Sequence, residues 1–208
     1  GEASTMYLPK HFDQQDAAAL QGLMREHPLA TLVTWQDGAP TADHVPLMFD
    51  AATQTLRGHV ARANPLWKLA DQPVLAVFSG PQAYVTPSWY PSKAETHKVV
   101  PTWNYTVVHA HGLLKAVEDA PWLHALVSEL TGHHESARPA PWAVSDAPDD
   151  YVQSMLRAIV GIEIPVTRLI GKWKMSQNRS TPDRLGVAHG LAADGHDVAA
   201  AVVRTTSP

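Results

Sequence analysis

The 208-residue sequence predicts a mainly β, α+β fold: a small antiparallel barrel with peripheral helices. Three observations predict it. Short β-type runs recur between Leu29 and Ile170, and Asp37-Gly38 marks a tight hairpin between the first two. Helical patterns are confined to the segments before, between and after those runs. The length suits one domain with appendages, and 45% hydrophobic residues allow a sizeable core.

The elements follow in order. Residues 13–26 form a helical pattern in which Asp13 can cap the N-terminus, Asp16 favours its positive end, and Leu20, Leu23 and Met24 make an apolar stripe. His27-Pro28 ends it. Strands are expected over 29–35, 39–49, 54–60 and 73–79. Asn64 followed by Pro65 is a strong start signal for a short helix over 64–70. Gly80-Pro81 predicts a turn, 83–86 a short strand, and 88–99 a loop. The longest strand candidate is 104–117, with Gly112 as a possible bulge. Asp119 caps a helix to about Thr131, 132–147 is a Pro-, Ala- and Ser-rich connection, and 149–158 is helical. Strand character returns over 160–170, where Pro165 argues for an edge or a break. Residues 180–193 and 196–203 close the chain as a helical pair. The expected division is a leader or cloning remnant over 1–5 with Met6 as the natural start, a barrel domain over 6–178, and a helical extension over 179–208.

Composition removes several function classes. Cysteine is absent, which excludes disulfides, thiolate catalysis and Cys-based metal sites and agrees with a cytoplasmic address. No run approaches the ~20 apolar residues of a membrane span, and the start lacks the layout of a secretory signal. The formal net charge of −4 means that any DNA role must rest on a local basic patch. His109 and His111 share a strand face, but no third ligand accompanies them, so no metal is expected. P-loop, GxGxxG and Gly-x-Ser-x-Gly patterns do not occur.

Three segments carry chemistry. In LRGHVARANP a strand delivers Arg57, His59 and Arg62 directly into a helix start at Asn64-Pro65. Such an end presents unpaired N–H groups and partial positive charge, a cradle for phosphate; it is equally an ordinary strand-to-helix junction with solvated arginines. The aromatic and hydroxyl residues of SGP, PSWY and PTWNY suit a wall for a planar heterocycle, or plain turn and core filling. The run GKWKMSQNRS places four hydrogen-bonding side chains after two lysines flanking Trp173. That pattern points to the lining of a polar site rather than to a solvated loop.

Taken in order, MYLPKHF, HPLATLV, DHVPL, LRGHVARANPLWK, FSGPQAYVTPSWY, VPTWNY, HAHG and GKWKMSQNRS resemble the PaiB family, described as FMN-binding negative transcriptional regulators. The resemblance runs from Met6 to about Leu191. It implies a split β-barrel that works as a homodimer with FMN in each of two interface grooves. It places His44, Val45 and Pro46 against the flavin ring. His59, Val60, Ala61, Arg62 and Asn64 would hold the ribityl chain and phosphate, and Trp103 and Asn104 the groove wall. Lys172, Trp173, Lys174, Ser176 and Gln177 would approach from the partner or close the rim. Two functions follow: a negative transcriptional regulator, and an FMN-dependent oxidoreductase without direct DNA contact, with Lys174, Tyr105 and His44 as candidates near the flavin. A flavin- or haem-binding sensor without turnover is a third. The last two helices have a helix–turn–helix outline, but 196–203 carries no Lys or Arg before Arg204 and makes a poor recognition helix.

Overall fold

A computed structural model describes residues 4–206; residues 1–3 of the expected leader lie outside the described residues. The strands are β1 (Asp13–Gln14), β2 (Leu29–Gln36), β3 (Ala39–Pro46), β4 (Met48–Asp50), β5 (Thr55–Ala61), β6 (Pro73–Val85), β7 (Thr102–Leu113), β8 (Lys115–Val117) and β9 (Ile159–Lys174). They form an antiparallel nine-stranded sheet in the order β3-β2-β6-β7-β9-β5-β4, with β1 and β8 each pairing with β9. The helices are α1 (Ala17–Glu26), α2 (Ser92–Thr96), α3 (Ala120–Glu135), α4 (Asp149–Arg157), α5 (Thr181–Ala193) and α6 (Asp197–Thr205). The α+β class expected from the sequence is the one observed.

The chain divides into two compact units. The first gathers the described residues up to Leu23, then Ser79–Val108, then the chain from Ile170 onward; the second is Met24–Phe78 with His109–Leu169. Every crossing between them falls inside α1, β6, β7 or β9 rather than in a loop.

In the second unit, β2 and β3 form the predicted hairpin, pairing Gln36 with Ala39 across a turn in which Asp37 and Gly38 both have positive φ. Alternate residues Ala30, Leu32 and Thr34 of β2 are buried, the period expected of a half-buried strand. α3 starts as predicted, with the Asp119 carboxylate accepting from Trp122 N at 3.0 Å, and runs four residues beyond the expected end. Leu123 of α3 packs with Val152 and Leu156 of α4. In the first unit, α5 lies on Trp89: a Cβ at Gly186 would sit 2.1 Å from the Trp89 carbonyl, and one at Gly190 2.2 Å from its indole.

Several boundaries depart from expectation. Asp16, not Asp13, caps α1, accepting from Ala19 N at 2.9 Å, while Asp13 pairs with Lys172 in the sheet. The return strand breaks at buried Leu47, whose N–H donates to the Pro28 carbonyl. Gly80-Pro81 makes no turn, and β6 runs through it. Gly80 is there because Thr106 Oγ1 and Leu23 would lie 2.3 and 2.7 Å from a Cβ, and the Pro81 carbonyl accepts from Thr106. The loop expected over 88–99 contains α2. The long strand stops at Leu113 and resumes as β8, and Gly112 marks a close approach to the Pro165 carbonyl. Pro165 does not end β9 either; it pairs opposite Thr55, and Val166 N restores the ladder by donating to the Gln54 carbonyl.

Candidate functional site

The strand-to-helix corner is built as the sequence suggests, on a smaller scale. Asn64 caps the turn by accepting from Leu66 N at 3.0 Å, but only a four-residue 3-10 helix, Pro65–Lys68, follows. The expected helix over 64–70, and the dipole it would aim at a phosphate, are therefore corrected: a single turn aligns too few peptides. What remains is a basic and aromatic corner. The Arg62 guanidinium and the Lys68 ammonium lie 5.8 and 5.6 Å from the centre of the Trp67 ring, whose N–H donates to the Arg62 carbonyl. Arg62 donates to Glu118 at 2.6 Å and to the carbonyls of Arg157 and Ile159, while the Asn64 amide donates to Asp43 at 3.1 Å. Glu118 and Asp43 stand 56 and 21 residues away in sequence, so nothing local announces them.

Around that corner the other expected residues divide by side-chain exposure. Val45 and Val60 are buried, whereas His44, Pro46 and Ala61 are exposed. Gly58 admits the backbone of the neighbouring strand: a Cβ would meet the Pro46 carbonyl and Leu47 at 2.7 Å. Pro46 and His59 line an open groove of about 410 Å³, closed on the other side by Leu130, His134 and Trp142. Burial holds the His59 imidazole below its ordinary range.

The GKWKMSQNRS run forms the second cluster, in the first unit. Lys172 and Trp173 are buried; the Lys172 ammonium lies 5.4 and 5.2 Å from the rings of Tyr7 and Tyr105. Gln177 folds back to accept from Met175 N and donate to the Trp173 carbonyl. That bracket holds Ser176 at φ 68, a left-handed conformation costly for a residue with a Cβ. Asn104 and Ser176, both buried, are paired reciprocally at 3.1 and 3.3 Å. Together with Lys174 they line a cavity of about 260 Å³. Lys174 donates to Thr102 Oγ1 and the Trp103 carbonyl, and burial, then the charge of Lys172, holds it below its ordinary range. Trp103 is exposed, edge-on to Tyr84 at 6.0 Å. Thr102, Tyr90, Asn178 and Arg179, which the family resemblance did not assign, also line this cavity, and each stands in one of the runs PSWY, PTWNY and GKWKMSQNRS that signalled a site.

With this geometry in place, comparison with known proteins is decisive for the family. The family model "Putative FMN-binding domain" matches residues 6–168. The chain belongs to that FMN-binding family. A Bacillus subtilis relative of this PaiB type, Protease synthase and sporulation protein PAI 2, is 34% identical over 193 residues, covering 89% of each chain. An uncharacterized Aspergillus fumigatus protein is 34% identical over 251 residues, covering 96% of each. Among solved structures, the FAD and heme binding protein from Mycobacterium smegmatis superposes with TM-score 0.59 at 18% identity, over 78% of this chain and 73% of its own. The flavocytochrome Anf3 from Azotobacter vinelandii gives 0.58 at 13%, over 78% and 69%. These confirm the split-barrel fold expected from the sequence.

FMN is the cofactor of the family, and the donor chemistry fits it. A phosphate monoester is a dianion that a guanidinium pairs with well. Arg62 is tied to Glu118 only by an ion pair whose side chains are 43% and 53% exposed, worth about 0–1 kcal/mol and replaceable by a dianion. Among the described residues no helix is long and apolar enough to cross a membrane, and no group of three His, Asp or Glu side chains is placed to hold a metal.

Proposed function

We propose that this FMN-binding protein is a cytoplasmic, homodimeric FMN-dependent oxidoreductase with a shared groove, FMN phosphate being held by Arg62 and Asn64 of one protomer and the flavin edge reached by Lys174 of its partner. FMN when bound supplies two-electron and one-electron transfer; the protein supplies position and charge. Lys174 carries the proposal. It is a partly buried ammonium, pinned by Thr102 and the Trp103 carbonyl, with no carboxylate in ion-pair range among the described residues. Such a cation favours negative charge placed beside it and can give up a proton more readily than an ordinary lysine. In this assignment His44 and Pro46 present exposed surface to the ring, while Val45, Val60 and Ala61 contribute backbone groups. His59 orients the ribityl chain, Trp103 and Asn104 form the wall, and Lys172, Trp173, Ser176 and Gln177 support the rim.

A regulatory role is the second reading, favoured by the printed name of the Bacillus relative, a protease synthase and sporulation protein. Direct DNA contact is disfavoured by α6. It turns Ala199, Ala200 and Val203 inward, starts at Asp197, and has no cation before Arg204. An influence on gene expression would then run through redox chemistry. The visible spectrum of the purified protein tests the cofactor, a flavin band being expected. Anaerobic bleaching of that band by NADPH or NADH supports the oxidoreductase, and indifference to both defeats it. Sequence-specific gel retardation at physiological salt would instead favour the repressor.

A further inference from the structure

We propose that the 260 Å³ cavity walled by Lys174 and Arg179 is a binding site for a small planar monocarboxylate, a ligand additional to FMN. The site shares Asn104, Lys174 and Ser176 with the FMN assignment and to that extent rests on it.

Charge is the first ground. The lining holds Lys174 and Arg179 and no carboxylate. Arg179 is partly neutralised by buried Asp183 at 3.3 Å, which also accepts from Ser92 N and Oγ. Lys174 has no such partner among the described residues, and Lys172, two residues back on the same strand, adds to the positive field. A partly buried ammonium with no anionic partner favours an anion placed beside it.

Donor arithmetic is the second. An ammonium has three N–H groups, and Lys174 spends two on Thr102 and the Trp103 carbonyl, leaving one. The Arg179 guanidinium carbon lies 4.0 Å from the centre of the Tyr90 ring, its NH2 turned to Asp183 and its Nε–H shut from solvent without an acceptor. The remaining N–H of Lys174 and the Arg179 guanidinium, both on the lining, are the donors available to the two oxygens of a carboxylate. Phosphate sites are typically cradled by successive main-chain N–H groups, and this lining supplies side-chain donors instead. Asn104 and Ser176 bond each other and ask nothing of a ligand.

Shape is the third. The rings of Phe12 and Tyr90 and the apolar Val100 and Pro101 border the cavity, an arrangement suited to a flat hydrocarbon body behind the charged end. The left-handed Ser176 is where the chain turns to bring Asn178 and Arg179 to that wall. Strain kept at such a corner accords with a function served there.

Benzoate titrated calorimetrically into the full-length protein, with FMN present as purified, should bind saturably at one site per chain. Benzamide, its uncharged analogue, should bind at least about tenfold more weakly, as should benzoate to Arg179→Gln. Because Arg179→Gln leaves Asp183 with only its Ser92 partners and can perturb folding, exposed Asn178→Asp provides a second variant. It adds a negative charge to the lining and should weaken benzoate by a similar factor. FMN affinity, read separately from flavin fluorescence, should be unchanged in both variants. Equal binding of benzamide, tighter binding of inorganic phosphate, or displacement of benzoate by FMN would each overturn the proposal, the last by giving the cavity to the cofactor. Absence of saturation up to about 20 mM would do the same. Loss of FMN binding with benzoate binding retained would defeat the cofactor assignment and leave this site standing.

Discussion

Arg62 spends its guanidinium on Glu118 and two main-chain carbonyls, so its availability to a phosphate is set by an exposed ion pair. Glu118→Gln should therefore cost less than about 1 kcal/mol of stability, yet tighten FMN binding several-fold by removing a competing anion. Arg62→Gln should weaken FMN binding by tenfold or more, since a charged contact contributes about 1.5–3 kcal/mol. Flavin fluorescence titration measures both; a weaker FMN complex in Glu118→Gln would show that the carboxylate positions the arginine rather than competing for it. His59 and His111 have a different consequence. Burial lowers both, Arg168 adding to the effect at His111, so the unfolded chain takes up protons first as pH falls. The sign is then fixed: stability declines as pH drops below about 6.5 and levels off beneath the folded-state pKa. Urea midpoints across that range should show the decline, and His59→Gln should flatten it. The arginines and histidines were legible in the sequence. Their acidic partners were not, because only folding brings Glu118 and Asp43 to the corner.

At the scale of elements, glycine separates two competing effects. Replacing a helical glycine by alanine ordinarily gains about 1 kcal/mol from helix propensity. In α3, an added Cβ at Gly132 meets nothing within 4 Å, so Gly132→Ala should raise the melting temperature. At Gly190 in α5 the same Cβ would stand 2.2 Å from the Trp89 indole, and overpacking of about 1–3 kcal/mol outweighs the gain. Gly190→Ala should lower the melting temperature; an increase in thermal scans would mean that Trp89 can move aside. This distinction explains what sequence reasoning missed. Asp37-Gly38 was read correctly because its two positive φ values are a local demand that the residue types declare. Gly80-Pro81 and Pro165 carry the same punctuation, but there the demand is tertiary: room for Thr106 at Gly80, and a ladder repaired by Val166 around Pro165. Asn64-Pro65 announced the start of a helix accurately and said nothing of its four-residue length.

For the whole molecule, the sequence motifs were sufficient to specify the fold class and the family, because they recur in order along nearly the entire chain. They left open how many chains complete a site. A groove shared between protomers, as proposed, predicts that Arg62→Gln and Lys174→Gln proteins, each defective alone, recover FMN binding when unfolded together and refolded as a mixture. Recovery is expected at about a quarter of the sites, because half of the dimers are mixed and one groove of each is intact. No recovery in the mixture would place every ligand on one protomer. The four crossings between the two units, at residues 23–24, 78–79, 108–109 and 169–170, carry a further consequence. Each interrupts a helix or a strand, so there is no seam along which the gene can be divided. Expression of either unit alone would leave severed strand ends with unpaired main-chain groups, a route to aggregation. A nick or an insertion belongs instead at Asp37-Gly38 or in the exposed stretch from Arg138 to Trp142, where cutting opens no ladder.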